Sequence, residues 1–425
     1  MPKNIDAFNK NIIIVFVGTS VANFLNLLYQ LLIAHRLSAS DFAAFNSLLS
    51  IFLVISSPLG TIQMAVAKYS AEFNARNQLS KLKFFLSDLF KKTSILAVFT
   101  LLVLWFSSVH IMNSLKISSA TSGYVLAVLL ASNCLFPVFA GGVQGLELFA
   151  WLASVSVITG VLKLSLAFIF ILLGYNIAGA LGALLASSLI GLIIYYFPIR
   201  RYICLKAIKE DIRYKEIFIY LFPVAITYFC FINLVNFDMV LVRYYFSPHD
   251  SGLYSLAQMV GKIFLFLPGA ISVVMFPRTS GLNAKNMDTV SILKRSILYV
   301  LGLCILPLLF YNFFPSWVLR VLTGKAYPES IILGRLFSIS MTFFTLLYIL
   351  IMYFLSVKDL RFVKYLAFFT VLQLLAIILF HKDLIQVQLI LCINAILLFC
   401  IHLALVKFTP PLRAGAGFTK PKGLK

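Results

Sequence analysis

Apolar residues fill most of the chain in long runs, separated by short polar and basic clusters. Runs of about 20 apolar residues mark helices that cross a hydrocarbon core. They fall at 11–33, 42–65, 93–113, 121–141, 151–173, 177–197, 217–245, 252–276, 296–314, 331–356, 361–380 and 384–406, and predict twelve spans. The connections at 174–176 and 381–383 are so short that the spans they join must be antiparallel neighbours. The opening MPKNIDAFNK before an apolar run superficially suits a secretory leader. That run is long, carries Asn23, Asn26 and Gln30, and lacks an A-x-A cleavage site, so it reads as a retained first span. In the longest connection, 66–92, Leu79, Leu82, Leu86 and Leu89 share one helical face, with Lys81, Lys83, Lys91 and Lys92 elsewhere. This pattern predicts an amphipathic helix on the inner leaflet. No segment outside the spans is large enough to form a domain.

The pattern also repeats. RLSASDFAAF (Arg36 to Phe45) opens span 2 and FSPHDSGLY (Phe246 to Tyr254) opens span 8. Ser38 and Ser247, Asp41 and Asp250, and Phe45 and Tyr254 are each 209 positions apart. Pro58 with Pro268, and Lys68 with Arg278, follow one residue out of step. Each S-x-x-D reads as a capping box, with serine at the N-cap and aspartate at N3; Pro248 takes the first helical position. The expected architecture is an all-α membrane protein of two pseudo-symmetric six-helix lobes around a central cavity. Residues 1–205 form the first lobe, and 206–425 the second with a short basic tail. Parallel repeats of this kind place a substrate site between the halves and alternate its access by rocking. Pro58 and Gly60, Pro137, Pro223, Pro268 and Gly269, and Pro307 are candidate bends.

Charge sets the orientation. Of 35 Lys and Arg, 26 fall on one side of the predicted spans; Arg36, Lys116, Arg243, Arg320, Lys325 and Lys382 fall on the other. The basic side is cytoplasmic, so both termini are expected inside a plasma (inner) membrane. The net charge of +21 then reflects topology and attraction to anionic lipid rather than a nucleic-acid partner. Only 12% of residues are charged, half the share of an ordinary soluble domain. Cys134, Cys204, Cys230, Cys304, Cys392 and Cys400 show no metal-binding spacing and read as small packing residues.

Three cations lie inside spans. Lys163 is in the middle of span 5, Lys262 in the middle of span 8, and Arg335 near the outer end of span 10, where its head can snorkel to the interface. A lysine at mid-depth costs about 2.5–3.5 kcal/mol even on a lenient insertion scale. Asp238, in the outer half of span 7, differs from Lys262 in depth by about 9 Å, so an internal salt bridge is one explanation for Lys262. Lys163 has no carboxylate in its own hairpin. One cation in each lobe predicts a wet cavity that accepts an anion, with phosphate oxygens as natural partners. Asn23, Asn26, Gln30 and Gln63 are candidate cavity-lining groups of the first lobe.

The stretch NFDMVLVRYYFSPHDSGLYSLAQMVGKIFLFLPGAISVVMFPR resembles the N-x-D-x-x-L-V-x-x-x-F-S-P-x-x-x-G-x-Y pattern of the polysaccharide biosynthesis, or O-antigen flippase, family. That family belongs to the multidrug/oligosaccharidyl-lipid/polysaccharide (MOP) exporter superfamily. RLSASDFAAF is similar to the family's R-L-G-P-x-x-F-G, QMAVAKYSAE to its segment after span 2, and LTGKAYPES to its outer-loop L-x-G-x-x-Y. The resemblance covers essentially the whole chain. It implies a flippase, not an enzyme, that exports a polyprenyl-pyrophosphate-linked oligosaccharide. Lys262, Lys163 and Arg36 are its implied pyrophosphate contacts. Two departures stand out: SAS replaces G-P in the first loop, and neutral Gln30 stands where some relatives carry a cation. No cofactor is implied, and Asp238 is the candidate for ion or proton coupling. The implied partners are the lipid-linked oligosaccharide, membrane lipids, and a polysaccharide polymerase or other assembly protein.

A cation/drug antiporter of the same superfamily is the alternative. It needs embedded carboxylates, and the first lobe has none. A polymerase or ligase needs a large outer loop with a catalytic pair, whereas 315–330 offers Arg320, Lys325 and Glu329 without one. A non-transporting scaffold would keep its lysines neutralised in dry lobes.

Overall fold

The S-x-x-D caps form as their spacing predicts, and in the same way in both copies. In the computed structural model, which describes residues 2–203, 210–212, 214–266, 269–285 and 287–407, the Asp41 backbone N–H donates to Ser38 Oγ at 3.1 Å, and Ser38 Oγ donates to Asp41 Oδ2 at 2.8 Å. The Asp250 N–H and Ser247 Oγ make the same two bonds at 3.1 and 2.7 Å. Each serine satisfies an orphan donor of the first turn and each aspartate sits at the positive end of its helix.

The described elements are α1 (Pro2–Arg36), α2 (Ala39–Ala75), α3 (Leu79–Ser114), α4 (Ala120–Asn133), α5 (Phe136–Gly145), α6 (Phe149–Leu172), α7 (Asn176–Ile199), α8 (Tyr214–Tyr245), α9 (Pro248–Phe266), α10 (Gly269–Ala284), α11 (Val290–Phe313), α12 (Pro315–Thr323), α13 (Pro328–Ser356), α14 (Phe362–Leu379) and α15 (Leu384–Lys407). No strand occurs among the described residues. Eleven stretches among them are long and apolar enough to cross a membrane, so the chain is a multi-pass membrane protein. The remaining expected span, 252–276, falls on α9 and α10, either side of Leu267 and Pro268. Those two residues lie outside the described ones, as do Cys204, Lys206, Lys209, Arg213, Arg413, Lys420, Lys422 and Lys425.

Two expectations change in detail. Span 4 is divided into α4 and α5 at Cys134–Leu135, with Pro137 in the first turn of α5. A proline tolerates that position because its missing N–H would have no helical partner there. The second change is larger. Residues 66–92 do not form a separate helix lying on the leaflet. They are the ends of α2 and α3, joined by a tight turn in which Asn77 takes φ +55°. At about 1.5 Å per residue, α2's 37 residues extend about 55 Å, well past a core of about 30 Å. Leu82, Phe85 and Leu86 are buried in a cluster with Tyr69, Phe73 and Tyr214, and Tyr214 donates to Asp88, which also pairs with Lys92 at 2.7 Å. Leu82 and Leu86 of the leucine face are buried and Leu89 packs beside them, while Leu79 is exposed. A helix packed on its neighbours and a helix lying on lipid present the same pattern in sequence.

By packing, the chain forms two compact units: residues 1–256 with 320–325, and residues 257–319 with 326–425. In the first, α2 packs along α8 and α5, and α6 along α1 and α7. Equivalent positions of the two repeats meet there. Asn46 Nδ2 donates to Ser255 Oγ at 2.8 Å, and both residues, 209 apart, are buried. Gly252 lies so close to Ala39 that a Cβ would stand 3.0 Å from its backbone. In the second unit, α13 packs along α15, α11 and α10. Among the described cysteines, Cys134, Cys230, Cys304 and Cys392 are buried, Cys400 is exposed, and none is in a disulfide.

Candidate functional site

Helices α1 and α6 run side by side in the same direction, and small residues let them approach. A Cβ on Gly18 would lie 2.6 Å from Ala153 Cβ, and one on Gly160 would lie 2.9 Å from Leu25. Each helix turns a polar stripe toward the other at helical spacing: Thr19, Asn23 and Asn26 on α1, and Ser156, Thr159 and Lys163 on α6. With Leu184, Ser187, Ser188 and Tyr195 of α7 and Phe136 of α5, these stripes line an open cavity of about 330 Å³ within the first unit.

Lys163 is the one charged residue in this lining. Its Nζ donates to Asn26 Oδ1 and stands 4.9 Å from the centroid of the Tyr29 ring, a cation–π contact. That ring is held from its other end, where Tyr29 OH donates to Ala180 O at 2.8 Å. The ammonium therefore has a neutral amide and an aromatic face beside it, and no carboxylate among the residues that line the cavity.

The other expected residues are placed as follows. Asn23 and Asn26 line the cavity with Lys163. Gln63 lies on α2 and donates to Gln144 Oε1 at 3.3 Å, and Gln30 Oε1 is buried without a hydrogen-bond partner. Arg36 is exposed at the end of α1, its guanidinium 5.5 Å from the Phe168 ring centroid. Asp238 is fully buried and accepts from Tyr254 OH at 2.8 Å. Lys262 is half-buried on the part of α9 that belongs to the second unit. Gly261 packs there on Phe337 and Met341 of α13, and Thr345 Oγ1 donates to Phe264 O at 3.1 Å. Arg335 is exposed, as a snorkelling head should be.

Two features escaped the sequence reading. The hydroxyls of Thr19, Ser156, Thr159, Ser187 and Ser188 sit at helical spacing on three apolar helices, a signal that could have singled them out. Arg243 carries no such signal. It is 3% exposed, and its guanidinium donates to Leu115 O at 2.8 Å, Lys116 O at 2.9 Å, Ser251 Oγ at 2.9 Å, Ser40 Oγ at 3.4 Å and Pro248 O at 3.5 Å. Lys116 Nζ donates in return to Phe246 O at 2.8 Å. The end of α1 is clipped in a similar way: Lys325 Nζ donates to Ala34 O at 2.9 Å and Leu37 O at 2.5 Å.

The sequence profile described as "Polysaccharide biosynthesis protein" matches residues 8–283, well over half of the chain. The chain belongs to the polysaccharide biosynthesis protein family. None of the curated proteins matches it by sequence. Solved structures do match its fold. One is a multidrug resistance MATE family transporter of the MOP superfamily in an inward-facing conformation, at TM-score 0.74 and 16% identity over 93% of this chain and 98% of that one. Another is the lipid II flippase MurJ in an inward closed conformation, at 0.71 and 16% over 93% and 87%. A third, a MOP superfamily transporter from Pyrococcus furiosus described by the reverse polarity of its binding pocket, matches at 0.56 and 15% over 93% and 94%. The chain therefore has the fold of these MOP superfamily transporters.

Proposed function

We propose that the protein is a flippase that carries a polyprenyl-pyrophosphate-linked oligosaccharide from the inner to the outer leaflet by alternating access, for assembly of cell-surface polysaccharide such as O-antigen. The observation that carries this reading is the cavity between α1, α6 and α7, lined by amides and hydroxyls among apolar residues and charged only by Lys163. Holding a lysine there without a carboxylate in the lining is costly unless an anionic ligand visits. A cationic drug would meet the wrong sign of charge in that cavity, which weighs against the antiporter despite the shared fold.

In this reading the lobes 1–205 and 206–425 rock against each other, and both termini face the cytoplasm at the inner membrane. Lys262, Lys163 and Arg36 attract the anionic head group. Asp238 is the candidate coupling carboxylate, and its bond from Tyr254 must loosen for it to exchange a proton or an ion. A polymerase working on the outer face would take the product.

The test is Lys163→Ala and Lys262→Ala in a flippase-deleted host, scored for surface glycan at matched expression. Loss in either supports the reading, and full export by both variants removes it.

A further inference from the structure

The lining hydroxyls show what the cavity prefers to hold. Thr19 Oγ1 donates to Val15 O at 2.8 Å, Ser156 Oγ to Leu152 O at 2.9 Å, and Thr159 Oγ1 to Val155 O at 2.8 Å. Ser187 Oγ donates to Leu184 O at 3.0 Å and Ser188 Oγ to Leu185 O at 2.8 Å. All five spend their single proton on a carbonyl of their own helix. A hydroxyl in that state presents lone pairs only. The donors left for a ligand are the remaining protons of the Lys163 ammonium and the side-chain N–H groups of Asn23 and Asn26.

A diphosphate is itself an array of acceptors. Facing this wall it would find a cation and two amides along one side, and oxygen opposite oxygen at all five hydroxyls. A sugar ring is the opposite case, since each of its hydroxyls brings a proton that a serine or threonine oxygen can accept. Its C–H face can also pack against the rings of Phe136 and Tyr195, which line the same cavity. At about 330 Å³ the space is at the small end of ligand pockets, room for one ring rather than a chain of them. The ammonium, with no acid in the lining, calls for an anionic substituent on that ring. A carboxylate fits best, because it is compact and accepts charge-assisted bonds from Lys163 without needing donors around it.

We infer that this cavity is a subsite for a single carboxylated sugar, a hexuronic acid unit of the glycan, and that it selects against the diphosphate. The inference rests on the flippase reading for the molecule that delivers the sugar, and divides the work of the cations. Lys163 serves the glycan, and the diphosphate is left to Lys262 and Arg36.

The test uses the full chain in lipid nanodiscs and equilibrium dialysis with radiolabelled glucuronate, with unlabelled glucose and inorganic pyrophosphate as competitors. Glucuronate should bind saturably and about tenfold more tightly than glucose, and Lys163→Met should weaken it by about tenfold or more. Thr159→Val, which keeps shape and deletes an acceptor, should weaken it several-fold; it covers the case in which Lys163→Met does not fold. Pyrophosphate that displaces glucuronate as well as unlabelled glucuronate does overturns the subsite, as does equal binding by wild type and Thr159→Val or an absence of saturable binding. The two readings fail separately. Glucuronate binding in a protein that restores no glycan, in a flippase-deleted host whose glycan contains a uronic acid, removes the flippase and leaves the subsite. Restored export with displacement by pyrophosphate does the reverse.

Discussion

Arg243 and Lys163 are both cations on membrane-length helices of the first unit, and their surroundings differ. Arg243 gives its guanidinium protons to three carbonyls and two serine oxygens drawn from α2, α9 and the 115–116 turn. Lys163 has one amide oxygen, one ring face and a polar cavity beside it. The fork of an arginine is consumed by a fixed set of acceptors, and what it does is hold loops together. A lysine left with spare protons beside open space is arranged for something that comes and goes. Arg243 is buried and Lys163 half-buried, and the count of satisfied donors separates them further.

Breaking the saturated site should cost most. Arg243→Met removes a buried charge and strands its acceptors, so about 3–5 kcal/mol of stability should go. Thermal melting of the detergent-purified protein should fall sharply or the monodisperse peak should vanish; wild-type melting would mean that the clip is ornamental. Lys163→Met should do the opposite. Melting should change by less than about 1 kcal/mol, because a desolvated cation is exchanged for an apolar chain, while surface glycan falls about tenfold or more. A matched loss of folding and export would erase the contrast between the two cations.

Smaller changes sharpen the picture. Ser38→Ala and Ser247→Ala should each cost about 1 kcal/mol, and by similar amounts, since their cap bonds agree to within 0.1 Å. Chemical denaturation followed by tryptophan fluorescence can compare them; a large asymmetry would show that the copies carry different loads. Smallest is Lys325→Met, which uncaps α1 and should cost about 0.3–1 kcal/mol, read as faster hydrogen exchange at the amides of α1's last turn.

How far the chain could be read follows from the range of each interaction. The caps and spans depend on residues within a few positions, so S-x-x-D and hydropathy located them. The cavity was half visible. Asn23, Asn26 and Lys163 were marked by polarity in apolar runs, and the serines and threonines passed as background because such residues also bond within helices. Arg243 was counted only as an outer-side charge, since its partners Leu115 and Ser40 lie 128 and 203 residues away. The α2–α3 hairpin was misplaced because leucines every three or four positions say that a face is covered, and not by what.

The bond between Asn46 and Ser255 has a consequence for the duplication itself. Two identical units meeting at equivalent positions would have to offer each other the same side chain, and two serines or two asparagines divide donor and acceptor by chance of rotation. Fusing the units into one polypeptide lifts that requirement. One position can then become a committed donor and its counterpart a committed acceptor. At that point the two halves cease to be interchangeable, and a division of labour between them can begin.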